Sequence, residues 1–327
     1  MKALISEKYG PPESLRIGEA EKPIPKQGQV LIRVRAASVN SADWRILVAD
    51  PFLVRLMGGG LFKPAQRIPG SDVAGTVEAL GPGCGRFKIG DAVLGDLFNC
   101  GRSSFAEYVC ADENALALKP DCLTFEEAAA VPLAGVTAWH ALHGPVAVGP
   151  GMKVLINGAS GGVGAFALQI AKAIGAEVTA VCSAGNMEQS RALGADRVID
   201  YRVKDFSADG PRYDLILGVN GNRSLSAYKR ALRPGGTYLM VGGGGKQLFQ
   251  AMLLAPLYSL TGGKKMSLVS SVPDPKALED LLGMCAAGKV KPVIDKVFSL
   301  DQAVEAFRYL GAGHARGKVV IKIGTPT

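Results

Sequence analysis

The chain has 327 residues, 48% of them hydrophobic and 20% charged, which is enough for two domains with ordinary buried cores. It contains no uncharged apolar run of about 18 residues, and its amino terminus, MKALISEKYGPPESL, lacks the apolar stretch of a secretory signal; no membrane partner is expected, and the expected location is cytoplasmic. Its net charge of +8 comes from Lys and Arg spread along the chain, the pattern of a solvated surface that attracts anionic cofactors, so no specific nucleic acid is expected either.

The first third reads as short alternating strands. KALISEKY, QVLIRVRAASVN, GSDVAGTVEAL, DAVLGDL and SFAEYVCAD are broken by turn residues such as GPGCGRFKIGD, the texture of a β-barrel-like domain. At Thr124 the period changes: TFEEAAAVPLAGVTAWHALH has acidic residues in its first turn behind an N-capping threonine, which predicts a connecting helix. Beyond Pro150 strands and helices alternate, as KVLIN, GVGAFALQIAKAIG, EVTAVCS, NMEQSRALG, RVID, YDLILGV, RSLSAYKRALRPGG and TYLMVG. Apolar strands separated by helix-length segments predict a doubly wound parallel sheet covered on both faces. PKALEDLLGMCAAGKV and SLDQAVEAFRYL read as helices and KVVIKI as a closing strand. The expected division is a first domain of residues 1–121 completed by the tail 272–327, with a Rossmann-type domain of residues 122–271 between them.

Four glycines, Gly158, Gly161, Gly162 and Gly164, lie between the strand KVLIN and the following helix. A strand, a bare turn and a helix in that order gather backbone N–H groups and the positive end of a helix dipole at one point, which suits a pyrophosphate. Gly158 makes the bend; Gly161 and Gly164 let the phosphates and the sheet come close; Val163 lies in the first helical turn, and the Ser160 hydroxyl adds a contact. NAD sites usually carry an acid at the end of the second strand, to bond the ribose 2′-hydroxyl. Here the sequence is Cys182, Ser183, Ala184, Gly185, Asn186. Ser183 and Asn186 tolerate a 2′-phosphate, with Tyr201 or Arg202 able to approach the adenosine end, so NADPH is expected over NADH. Val219 and Asn220 end a later strand, and Gly242 and Gly243 open the loop after TYLMV, where ligands of parallel sheets bind.

The ordered motifs AASVNSADW, IPGSDVAGTVEALG, FKIGDAVLG, SFAEYV, AAAVPLAGVTAWHAL, VLINGASGGVGAFALQIAK and LGADRVIDYR resemble the medium-chain dehydrogenase/reductase superfamily over nearly the whole chain. Within it, the sequence is similar to the zinc-free quinone oxidoreductase and enone or alkenal reductase branch. The resemblance implies a GroES-like catalytic domain built from both chain ends, a Rossmann domain, and a homodimer formed through the strand near KKMSLVSS. It places Thr137, in AGVTAW, at the nicotinamide riboside or its phosphate; Lys318, in RGKVVI, is a separate candidate to approach a phosphate. Zinc-dependent members use a Cys in the segment SVNSAD, a His-Glu pair after the glycine of PGSD and a Cys in PLAGVT. This chain has Asn40, then Ser71 with Asp72, and no cysteine between Cys122 and Cys182, so no metal is expected.

Without a Lewis acid to stabilise an alkoxide, alcohol oxidation is disfavoured. Reduction of a quinone or an α,β-unsaturated carbonyl spreads the negative charge by conjugation, where hydrogen-bond donors suffice. Asn40 is the leading side chain for orienting substrate or nicotinamide; Asp43 and Asp72 are further catalytic candidates, each equally able to organise its own turn. His140 and His143 read as packing or capping residues and Cys182 as a buried thiol. The alternatives are a non-catalytic NADPH-binding protein and a zinc-type alcohol dehydrogenase. The six cysteines form no C-x-x-C motif, consistent with a reducing compartment.

Overall fold

A computed structural model of the chain describes residues 1–56, 60–220, 223–242, 263–269 and 272–324. It divides into two compact units, one of Met1–Ala134, Pro273–Ala286 and Pro292–Thr327, the other of Gly135–Val272 and Ala287–Lys291.

In the first unit, β1 (Lys2–Ser6) and β2 (Leu15–Glu19) form an antiparallel pair. β3 (Gln29–Val39) is followed by a short helix α1 (Ser41–Val48), then β4 (Asp72–Leu80), β5 (Ala92–Asp96), β6 (Tyr108–Asp112) and β7 (Leu116–Leu118). The strand β3 is the hub. Its far end pairs antiparallel with β6 and its near end with the carboxyl-terminal strand, while β4 runs along its other edge. Apolar side chains of these strands pack with Phe105 and Phe307, whose rings meet edge to face at 5.6 Å.

The predicted helix at 124–143 is two helices, α2 (Phe125–Ala129) and α3 (Pro132–His143). Proline at the first position of α3 has no N–H to continue the preceding helix and suits a helix start. α2 lies against β3 and β4, which holds the chain in the first unit as far as Ala134; the expected boundary at residue 121 falls before these helices because sequence alone does not show what they pack on.

The second unit is a six-stranded parallel sheet. β8 (Lys153–Asn157), α4 (Gly162–Ile174), β9 (Glu177–Cys182), α5 (Met187–Ala192), β10 (Arg197–Asp200), β11 (Tyr213–Val219), α6 (Leu225–Ala231), β12 (Leu232–Val241) and β13 (Lys265–Leu268) follow in order. The spatial order is β10-β9-β8-β11-β12-β13, with the reversal between the first strand, β8, and β11. All seven residues of β11 are buried, as a strand covered on both faces requires. α6 stops at Ala231, earlier than the pattern RSLSAYKRALRPGG predicts, and the chain is already paired with β11 at Leu232. Pro234 and Gly235, at φ +79, cannot extend the helix. The tail supplies α7 (Pro275–Ala286), β14 (Ile294–Ser299), α8 (Ala303–Gly311) and β15 (Lys318–Lys322); β14 pairs with β15, and β15 with β3.

Candidate functional site

The second unit carries the bare turn. Gly158 has φ +90, and its N–H and that of Ala159 both donate to the Val181 carbonyl at 3.0 and 3.2 Å, pinning the turn to β9. Gly164 is required by packing: a Cβ there would fall 2.8 Å from Ala159 Cα and closer still to the Gly158 carbonyl oxygen. Gly161 differs. At φ −79 it is unstrained, and a Cβ on it would meet nothing nearer than the Gly158 oxygen at 3.8 Å. The protein's own packing therefore leaves a small space at Gly161. α4 begins there, 13 residues long and without a capping side chain, so the N–H groups of Gly162, Val163 and Gly164 and the positive end of the dipole converge on that space.

Around the turn, Asn186 Nδ2 donates to Ser160 Oγ at 2.9 Å, and Gln189 Nε2 reaches the Ser160 carbonyl at 3.4 Å. Ser183, half-buried, follows β9 and accepts the Asn186 N–H at 2.9 Å. Tyr201 follows β10, and its N–H donates to the Cys182 carbonyl at 3.2 Å. Ser160, Ser183, Asn186 and Tyr201 are thus brought together by backbone and side-chain bonds. Arg223, which sequence reasoning passed over, joins them by donating to the Tyr201 carbonyl at 3.0 Å; its strand-end position after β11 was the available signal. Arg202 donates its N–H to the Asp200 carboxylate.

Val219 is buried, and Asn220, at φ +52, donates its N–H to the Val241 carbonyl at 3.3 Å. Gly242, at φ +68, adjoins the Asn220 side chain, whereas Gly243 lies outside the described residues. Thr137 is buried in α3. On the same helix, His143 stacks on Trp139 with ring centres 3.9 Å apart. Cys182 is a buried free thiol.

The first unit gathers the remaining candidates, and the strand registers explain why. Asp72 opens β4 opposite Ser38 on β3; Lys318 opens β15, one residue before the pair of Val319 with Val39; Asn40 follows β3 and caps α1. Asp72 accepts from Ser38 Oγ at 2.6 Å, Asn40 Nδ2 at 3.0 Å, Lys318 Nζ at 3.1 Å and the Leu133 N–H at 2.9 Å. Lys318 also donates to Asn40 Oδ1. With Lys318 only 4% exposed and Asp72 fully buried, this is an ion pair shielded from solvent and salt. Lys318 is therefore committed to Asp72 and Asn40 rather than extended toward a phosphate. The Asn40 amide is likewise turned inward, its oxygen on Lys318 and its nitrogen on Asp72.

Asp43 accepts the Asn40 N–H at 2.8 Å and Ser71 Oγ at 3.1 Å, so it secures the start of α1. Burial pushes its carboxyl up to about 6, against the lowering effect of the Asn40 N–H. Asp96, at the end of β5, was not singled out by sequence, yet its backbone lies directly across from Asp72. At the positions where the resemblance would place zinc ligands, the donors here are the Asn40 amide, the Ser71 hydroxyl and the Asp72 carboxylate, the last already paired with the Lys318 ammonium, a set with no thiolate or imidazole. Among the described residues no three His, Cys, Asp or Glu side chains form a metal site.

Residues 26–121 match the family model described as the alcohol dehydrogenase GroES-like domain, and residues 193–321 the one described as zinc-binding dehydrogenase. The chain is 36% identical over 313 residues to a chloroplast envelope quinone oxidoreductase homolog of Arabidopsis thaliana, covering 92% of this chain and 91% of that one. It is 34% identical to a 2-methylene-furan-3-one reductase of Solanum lycopersicum, covering 98% and 79%. The solved structure of the quinone oxidoreductase from Coxiella burnetii aligns with a TM-score of 0.87 at 30% identity, covering 99% of each chain.

Proposed function

Since the chain belongs to the quinone oxidoreductase-like branch of the medium-chain dehydrogenase/reductase superfamily and is an NAD(P)H-dependent oxidoreductase, we propose that it prefers NADPH and reduces a quinone or an α,β-unsaturated carbonyl without zinc. The carrying observation is the space at Gly161 beneath the uncapped start of α4. When bound, the nicotinamide supplies hydride to the acceptor. The N–H groups of Gly162, Val163 and Gly164 hold the pyrophosphate, with Ser160 beside them. Ser183, Asn186 and Tyr201 receive the 2′-phosphate; no carboxylate at residue 183 repels it. Val219, Asn220, Gly242 and Thr137 complete the cofactor contacts.

Asn40, Asp43 and Asp72 act by orientation. Each is already bonded within the protein, and together with Lys318 they fix the start of α1 and the ends of three strands in one arrangement. Such preorganisation keeps these side chains of the first unit in place without reorganisation during turnover. The proposal includes a homodimer: β13 is the last strand of the six-stranded sheet, and Leu268 on it is 38% exposed, as an edge strand that pairs with a second copy would be. It also includes a cytoplasmic location, supported by six free cysteines. Among the described residues no helix is long and apolar enough to cross a membrane.

The test is cofactor oxidation by chelator-treated protein with a panel of quinones, enones and alkenals. NADPH is expected to give a kcat/KM at least about tenfold that of NADH, a difference of about 1.4 kcal/mol, and Ser183→Asp to reverse the preference. Binding of NADPH without turnover of any acceptor would instead favour a binding protein, and activity restored only by zinc would revive the metal-dependent reading.

A further inference from the structure

Asp96 adds a third carboxyl group to the buried cluster of Asp43, Asp72 and Lys318. It closes β5 opposite Asp72 in the antiparallel ladder and is 6% exposed. Hydrogen-bond donors are shared unequally among the three acids. Asp72 receives four, including the ammonium. Asp43 receives the Asn40 N–H and the Ser71 hydroxyl. Among the described residues Asp96 receives the Phe98 N–H alone, at 2.9 Å.

Among the described residues, Lys318 is the cation whose charge acts most strongly on it. Cys100 contributes a thiol that burial pushes up to about 11. α2 brings Glu126, which is paired with Lys322 at 3.1 Å, and Glu127, which accepts the Thr124 N–H. Leu116–Leu118 of β7, on the other edge of β5, carry no titratable side chain. One ammonium thus serves three buried acids, and it is spent on Asp72. A carboxylate in such a place is costly unless neutralised, and the acid with the fewest donors keeps its proton most readily.

We propose that Asp96 is a positioning residue that works as the neutral acid: protonated, it leaves Lys318 to Asp72 and Asn40; ionised, it competes for the ammonium, repels Asp72 and releases the Asn40 amide. Burial pushes its carboxyl up to about 7, the charges of Asp72 and Asp43 adding to this and the Phe98 N–H and Lys318 opposing it. The effect on turnover rests on the oxidoreductase reading above, whereas the protonation state does not.

Two measurements separate them. Carboxyl-carbon NMR of the cofactor-free chain, with Asp96 assigned through its loss in Asp96→Asn, is expected to show that group titrating near pH 7; titration in the ordinary aspartate range near 4 would overturn the proposal. In turnover, the parent is expected to lose about tenfold per pH unit above 7, while Asp96→Asn, a neutral isostere, stays within about twofold of the parent at pH 6 and shows no alkaline fall. An alkaline fall unchanged in the variant overturns the proposal, as does a folded, cofactor-binding variant inactive at every pH, which would mean that the carboxyl itself is needed. If no acceptor is reduced by the parent, the oxidoreductase reading fails, and the NMR titration alone decides the position of the proton.

Discussion

Gly164→Val is expected to remove cofactor binding and to destabilise the protein by about 3 kcal/mol or more. The reason is local and geometric. The new Cβ would lie 2.8 Å from Ala159 Cα and nearer still to the Gly158 carbonyl oxygen, and both neighbours are backbone, which cannot turn aside as a side chain can. Those neighbours are themselves fixed, because the N–H groups of Gly158 and Ala159 are bonded to Val181 on β9. Relief must come from lifting the start of α4 away from the turn, which moves the N–H groups of Gly162 and Val163 from the proposed phosphate site. Denaturant unfolding and an NADPH titration on the same preparation check both halves of the expectation; wild-type stability in the variant would show that α4 is not seated on the turn as described.

Lys318→Met is expected to cost about 3–5 kcal/mol, because it strands the fully buried Asp72 without its counter-ion. Ser38, Asn40 and Leu133 still donate to the carboxylate, but no cation then faces it within the bonds that hold the cluster. The companion substitution Asp72→Asn removes the charge, so the double variant Lys318→Met/Asp72→Asn is expected to be more stable than Lys318→Met alone. Urea unfolding of the single and double variants measures this coupling. Strictly additive losses would mean that the ion pair is not what holds the two side chains.

The nucleotide turn was legible in the sequence because its determinants are local: a strand, a bend that needs a positive φ at Gly158 and a helix opening at Gly162 all lie between Lys153 and Gly162. The parallel sheet was legible for a similar reason, since fully covered strands read as unbroken apolar runs. The destination of Lys318 was not. Its partners, Asn40 and Asp72, lie some 246 to 278 residues away, and they meet only because β15 returns to the edge of β3. Asp96 was hidden in the same manner: on its own, GDLF is a strand end, and the significance of the acid comes from the β4–β5 register that sets it across from Asp72. α1 went unread since its signal, Asn40 with Asp43 three positions on, is the same pair that looked like catalytic chemistry. Arg223 is a non-local case as well: its bond to Tyr201 joins the segments that follow β11 and β10.

Gly161 offers the most direct measurement. Unlike Gly164, it has an ordinary φ and open space where a Cβ would stand, so Gly161→Ala is expected to keep the unfolding free energy within about 1 kcal/mol of the parent. If the pyrophosphate occupies that space, calorimetric titration with NADPH will show saturable binding by the parent and at least about tenfold weaker binding by the variant. Equal affinity in the two proteins, or no binding by the parent, would contradict the assignment of the turn as the cofactor site.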